Sequence, residues 1–507
     1  MSRPVSFAPG GNANLFARLA SGFPADRSAI FLETDDGTRM TFAELLDRAG
    51  RIASLLVASG VQPGDRVAVQ VEKSVGGIGL YLGVLQAGAV YVPLNPAYTP
   101  AELAHFIADA EPKVVVCDPA HEGALAPIAG RAWLLTLGTA GEGTLVAQAA
   151  RLPSEREAVA RVGDDLAAIL YTSGTTGRSK GAMLTNDNLW SNATTLHRFW
   201  GFRPDDVLIH ALPLFHTHGL FVALNLMLLN GGRMIFLPKF DPDRVIRLLP
   251  RATVMMGVPT FYTRMLASER LTREAAAGMR LFVSGSAPLL AATHEAFEAR
   301  TGQRILERYG MTETGMSTSN PLDGECRAGT VGPALPGVAL RVAGSEGEIL
   351  APDETGVLEV RGPNVFKGYW RLPAKTAEEM RPGGWFVTGD VARIAADGYV
   401  TIVGRAKDFI ITGGLNVYPK EVETALDALP GVTESAVVGV PHPDFGEAVV
   451  AVLTVTSDPG DVVAALRDRL AAFKLPKHVA VVDELPRNAM GKVQKNLLRE
   501  QFAALFG

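Results

Sequence analysis

Residues 171–181 read Tyr-Thr-Ser-Gly-Thr-Thr-Gly-Arg-Ser-Lys-Gly, directly after the apolar run Leu166-Ala-Ala-Ile-Leu170. The run has the length of a short buried strand. Five of the eleven residues that follow are Ser or Thr, three are Gly, and Lys180 supplies an ammonium. A strand that opens into such a loop gathers backbone N–H groups and hydroxyls where phosphate oxygens fit. A Walker A loop needs G-x-x-x-x-G-K-[ST]. Here Gly174 and Gly177 stand three apart and Lys180 follows three later, so the loop is of another kind. It points to a nucleoside triphosphate and a reaction driven by one.

The chain around the loop is patterned for layered α/β structure. Residues 65–71, 89–93 and 113–117 are apolar, β-branched runs separated by helix-period stretches at 75–87 and 99–110. A second set of strands is expected at 207–210, 234–237, 253–256 and 281–284. This alternation predicts parallel sheets covered by helices, arranged as two similar lobes. From about residue 330 to 404 the runs shorten between Gly and Pro, which predicts a small antiparallel barrel or curled sheet. A compact α+β unit is expected after that. The predicted class is α/β, with a large N-terminal domain over residues 1–404 and an α+β C-terminal domain over 405–507.

At 507 residues there is room for more than one core. A net charge of −5 gives no electrostatic reason to expect nucleic acid or an anionic membrane as a partner. No stretch reaches the roughly 18 apolar residues of a membrane helix. Two cysteines, Cys117 and Cys326, cannot build a disulfide framework and suit a reducing compartment. Residues 1–14 are polar and lack the apolar run of a signal peptide, so the expected location is cytoplasmic.

Three further motifs carry chemistry: Glu307-Arg-Tyr-Gly-Met-Thr-Glu313, Gly384-Trp-Phe-Val-Thr-Gly-Asp390 with Arg405 after it, and Leu485-Pro-Arg-Asn-Ala-Met-Gly-Lys492. With the loop at 171–181, and in this order, they resemble the adenylate-forming superfamily of acyl-CoA synthetases, peptide-synthetase adenylation domains and luciferases. The resemblance covers residues from about 42 to 499. It implies ATP, Mg²⁺ and coenzyme A. It implies that Thr172, Ser173, Gly174, Thr175, Thr176, Gly177 and Lys180 wrap the phosphates. Tyr309 would stack on adenine, with Ser286, Ala287, Pro288 and Glu307 on the nucleotide side. Thr312 would touch phosphate. Glu313 and Thr175 would hold magnesium, an ion that takes one or two carboxylates plus phosphate oxygens and waters. Asp390 would accept the ribose hydroxyls beside Arg405. Lys407 would be the hinge of a mobile C-terminal domain, Gly413 and Gly414 the loop that admits coenzyme A, and Lys492 the catalytic lysine. Lys492 is also the expected target of a lysine acetyltransferase, because acetylation removes the charge the step needs.

The acyl group is less directly written. His216-Thr217-His218 lacks a third ligand for a metal site, and the resemblance puts His216 and Thr217 beside the acyl pocket. Thr260 and Arg264 are four apart and share a helical face. A guanidinium directed inward from Arg264 needs an anion, which a second carboxylate supplies. Ser284, Ser286 and Met311 would leave a small, partly polar pocket. Stretches 211–221, 257–264 and 487–496 resemble malonyl-CoA synthetases within the superfamily. They imply a ligase that takes malonate, with methylmalonate second, through acyl-AMP to the CoA thioester, releasing AMP and pyrophosphate. A CoA ligase for a short-chain or aromatic monocarboxylate, an enzyme that loads a carrier protein, and a nucleotide sensor without turnover stay open.

Overall fold

The computed structural model describes residues 11–172, 179–344, 346–406, 408, 410–412, 415–467, 469–488 and 491–506. A seven-stranded sheet runs in the order Gly368–Tyr369, Lys180–Thr185, Leu166–Thr172, Val90–Pro93, Arg66–Gln70, Val114–Cys117, Trp133–Thr136. Its strands from Leu166–Thr172 onward are parallel, as the alternating pattern predicts. Leu166–Thr172 and Lys180–Thr185 pair antiparallel, with Thr172 opposite Lys180. The motif at 171–181 therefore starts on one strand of an antiparallel pair and ends on the other.

The eight-stranded sheet runs Gly315–Ser319, Ile305–Met311, Leu281–Ser284, Val254–Gly257, Val207–His210, Arg233–Phe236, Ile30–Thr34, Arg39–Thr41. Its last two strands come from the start of the chain. The lobes are thus interlocked, and not sequential as the spacing of runs suggests. Residues 30–41 close the edge of the second sheet, and Gly368–Tyr369 closes the edge of the first.

Five short strands follow as an antiparallel sheet, with Trp385–Ile394 pairing to Gly356–Arg361, Met380–Arg381 and Val400–Arg405. The α+β unit beyond it pairs Val432–His442 with Gly446–Val455, and His478–Val481 joins in parallel. Helix starts follow local chemistry. Thr41, Thr99 and Thr185 each accept from the N3 backbone N–H, and the N3 side chain answers, forming capping boxes. One helix of the α+β unit is short, Val462–Leu466. Among the described residues no helix is long and apolar enough to cross a membrane.

Candidate active site

The C-terminal ends of the parallel strands in the eight-stranded sheet converge on one cleft, where open α/β sheets bind ligands. His210 ends one strand, Gly257 and Ser284 end the next two, and Ile305–Met311 brings Glu307, Arg308 and Tyr309. Register holds them side by side: Gly257 lies opposite Ser284, and Ser284 opposite Glu307.

Arg308 stands inside this cleft at 3% exposure. Its Nε and Nη2 have no hydrogen-bond partner among the described residues. Burial pushes its guanidinium down to about 9, and the one neighbour that favours its charge is the Tyr262 phenol. Burial first, and then the Arg308 charge, lower His216 to about 4 and His218 well below the ordinary imidazole range. Both rings are neutral at physiological pH. The Ser284 hydroxyl is fully buried and has no hydrogen-bond partner among the described residues, and the same holds for the Thr217 hydroxyl at 4% exposure. Ser286 takes a left-handed backbone, φ 73°, and sets its Oγ 3.3 Å from His218 Nδ1. Such a conformation is uncommon in a non-glycine residue. Gly285 leaves room for Arg308, because a Cβ there would lie 2.3 Å from Cζ. A buried cation beside unpartnered hydroxyls is a costly arrangement unless an anion completes it.

Next to it, the Tyr309 hydroxyl donates to Asp390 Oδ2 over 2.5 Å, and Arg405 Nε lies 2.9 Å from Oδ1. Each carboxylate oxygen has its own donor, so the carboxylate plane is fixed. Burial, with the Asp390 charge behind it, holds Tyr309 well above the ordinary phenol range, so it stays a donor. Asp390 and Arg405 are cross-strand partners, and Arg405 Nη1 also donates to the Thr388 carbonyl over 2.9 Å.

At the end of the 171–181 motif, Lys180 Nζ sits 3.1 Å from Glu379 Oε1 and 4.0 Å from the centre of the Tyr369 ring. The Tyr369 hydroxyl lies 2.7 Å from Glu379 Oε2 and 3.0 Å from Glu313 Oε1. The Tyr369 hydroxyl thus bridges the two carboxyl groups and ties the lysine's partner to Glu313. Burial raises Glu313 despite these bonds. Thr172 ends its strand, while Thr312 lies beside Thr217 and Asn364 around a small cavity.

Residues 16–370 match the family described as AMP-binding enzyme, and residues 421–492 match the AMP-binding enzyme C-terminal domain. The chain belongs to the AMP-binding enzyme family. A feruloyl-CoA synthase of Amycolatopsis sp is 39% identical over 474 residues, covering 92% of this chain and 94% of that protein. A malonate–CoA ligase of Arabidopsis thaliana is 34% identical, over 94% of this chain and 86% of that one. The crystal structure of ATP-bound MatB from Rhodopseudomonas palustris is 58% identical, with a TM-score of 0.96 over 98% of this chain and all of that one. This AMP-binding enzyme is an adenylate-forming ligase, and ATP, Mg²⁺ and coenzyme A go with that assignment.

The donor chemistry fits Mg²⁺. Glu313 offers one buried carboxylate, and the described residues contain no group of three His, Cys, Asp or Glu able to cage a metal. Magnesium needs no such cage when phosphate oxygens and waters complete its shell.

The hairpin carrying Lys492 is closed by a bridge between Arg487 and Val493. It sits on the first turn of helix Pro259–Leu266, where a Cβ on Gly491 would come within 3.3 Å of Thr260 Oγ1. The Lys492 side chain presents an exposed surface, yet the crowded cleft and Arg405 hold its ammonium below the ordinary lysine range, with Asp390 and Asp408 opposing. Arg405, Asp390 and Asp408 are thus its charged neighbours.

Several expected residues lie outside the described ones: Ser173, Gly174, Thr175, Thr176, Gly177, Lys407, Gly413 and Gly414. Arg264 needs correction as an inward cation. Helix Pro259–Leu266 buries Tyr262 and Met265, which turns residue 264 outward, and its side chain is exposed. The enclosed guanidinium is Arg308. It lies inside the motif 307–313, and its tell-tale was an arginine on an otherwise buried strand. Met311 and Ala287 are half-buried and Pro288 exposed. Tyr369 and Glu379 carried no sequence signal.

Glu307 is fully enclosed, and its carboxylate accepts from the Leu289 N–H over 2.8 Å. Burial raises it to about 8, with that bond opposing. An unfolded Glu ionises near pH 4.5, so between these values the folded state holds the extra proton, and stability falls as pH rises through the window. Glu307→Gln keeps the acceptor and removes the titration. Its urea midpoint relative to the parent is expected to climb from pH 5 to 8 and then level. A constant difference across that range would show that Glu307 does not titrate there.

Proposed function

We propose that this enzyme activates a small dicarboxylic acid, malonate first and methylmalonate second, and passes it to coenzyme A. The observation that carries the reading is Arg308, a buried guanidinium with no carboxylate beside it among the described residues. A planar fork of donors suits a carboxylate. Ser284 and the neutral His216 and His218 add donors without adding a competing anion. Arg264, on the outer face of the pocket helix, serves at the rim. The feruloyl-CoA synthase and the malonate–CoA ligase are about equally related to this chain, and the unpaired cation favours the acid with a second charge.

In the reaction we assign, one carboxylate oxygen attacks the α-phosphorus of ATP. A P–O bond forms, the bond to the β-phosphate oxygen breaks, and pyrophosphate leaves. Mg²⁺, when bound at Glu313, neutralises charge on the phosphates. Lys180 exchanges Glu379 for phosphate oxygens, while Asp390, Tyr309 and Arg405 hold the nucleoside end. Lys492 meets the charge that develops at the α-phosphate. The C-terminal domain, residues 405–507, then turns about Lys407 and brings Gly413 and Gly414 to the cleft. The coenzyme A thiolate attacks the acyl carbon, and AMP departs on the oxygen that carried it. The exposed Lys492 is open to a lysine acetyltransferase, and the free thiols Cys117 and Cys326 support a cytoplasmic setting.

A pyrophosphate-release screen over mono- and dicarboxylates, with coenzyme A present, tests the reading. Malonate should exceed propionate or butyrate by about 10⁴ in kcat/KM, the scale for a polar site left unpaired. Equal turnover of butyrate and malonate would remove the assignment. Gly285→Ala gives a finer check. Its Cβ, 2.3 Å from Arg308 Cζ, must displace the guanidinium. KM for malonate should rise while KM for ATP holds; a parallel rise in both would place Arg308 elsewhere.

A further inference from the structure

Lys73 lies between the end of strand Arg66–Gln70 in the first lobe and helix Val75–Gln86, whose N-cap is Ser74. Its stem is half-exposed, but its head is turned in toward the second lobe. Nζ lies 2.9 Å from His210 Nδ1, donates to the His210 carbonyl over 2.8 Å, and sits 4.4 Å from the centre of the Phe236 ring. Phe236 and His210 are strand partners at the mouth of the cleft. No carboxylate contributes to the environment of Lys73. Two of its donors go to His210.

The other ring nitrogen settles what the contact does. His210 Nε2 is 2.9 Å from the Gly219 carbonyl, which can only accept, so Nε2 carries the proton and Nδ1 accepts from Lys73. Gly219 directly follows His218. A Cβ at Gly219 would come 2.0 Å from the Pro213 carbonyl, so the turn over 213–219 is cinched there. That turn carries His216, Thr217 and His218, and His218 faces Ser286.

We propose that Lys73 is a positioning residue for the acyl pocket: it fixes the tautomer of His210, which pins Gly219 and holds the His216–His218 turn against Ser286. The inference rests on the acyl-pocket reading above, though not on which acid fills the pocket. With Lys73 gone, Nδ1 loses its donor and the ring that anchors the turn is held from the Gly219 side alone.

The test uses the full-length enzyme and whichever acid the parent turns over best, so failure of malonate as substrate does not bear on it. Lys73→Met should raise KM for that acid about tenfold, the scale of one lost buried hydrogen bond, while KM for ATP holds. Because Lys73 acts through His210, the double variant Lys73→Met/His210→Phe should be no worse than the poorer single variant. Should Lys73→Met fail to fold, Lys73→Gln, which keeps an N–H donor at shorter reach, should show a smaller rise confined to the acid. An unchanged acid KM, an equal rise in both KM values, or losses that multiply in the double variant would each overturn the assignment.

Discussion

Arg308→Met is expected to abolish the preference for a dicarboxylate. Methionine fills much of the same volume without charge, so the strand and its neighbours keep their packing. The enclosed guanidinium has no counter-charge among the described residues, so the second carboxylate of the acid would be its sole anionic partner. Removing it leaves that carboxylate desolvated and unpaired, and kcat/KM for malonate should fall by about 10³ or more, within the range seen when a polar site loses its complement. Butyrate should change little or improve. Arg264→Ala should cost far less, since that side chain is exposed and screened. If Arg264 proved the costlier loss, the outer face of helix Pro259–Leu266 would be the recognition surface. The pyrophosphate-release assay on both variants, with malonate and butyrate side by side, decides between them.

Lys492→Ala is expected to separate the two half-reactions. Adenylation should drop at least ~10²-fold, the effect of removing one preorganised group from developing charge. Thioester formation from supplied acyl-AMP should largely survive, because that step needs no stabilisation of departing pyrophosphate. Burial and then Arg405 lower the Lys492 ammonium while Asp390 and Asp408 oppose, so these groups surround it. Gly491 comes close to the pocket helix there, since a Cβ on it would lie 3.3 Å from Thr260 Oγ1. Equal loss in both half-reactions would overturn that role for Lys492.

Much of this was legible in the sequence because the relevant signals are local. The loop motif at 171–181 and the apolar strand runs each announce themselves within a dozen residues. The nucleotide side, Tyr309, Asp390 and Arg405, came from short motifs, and the structure brings these three together. What was not legible depends on pairing at a distance. Nothing near residue 30 tells that Ile30–Thr34 joins Arg233–Phe236. Helical spacing put Arg264 beside Thr260, but only the packed Tyr262 and Met265 show which face is inward. Arg308 was read as part of a nucleotide motif, and its want of a partner is visible only once its neighbours are known. The same is true of Lys73, an unremarkable loop lysine until His210 arrives from 137 positions away.

The swapped edge strands have a consequence for how this polypeptide is made and cut. The second lobe cannot finish its sheet without the hairpin at 30–41, and the first waits for residues 368–369. Early-synthesised segments must therefore hold for partners released much later from the ribosome, which favours slow, chaperone-dependent maturation. Severing the chain between the lobes, near residue 203, should yield two halves that each precipitate alone through open β edges. Co-expressed, they should reassemble into one working enzyme.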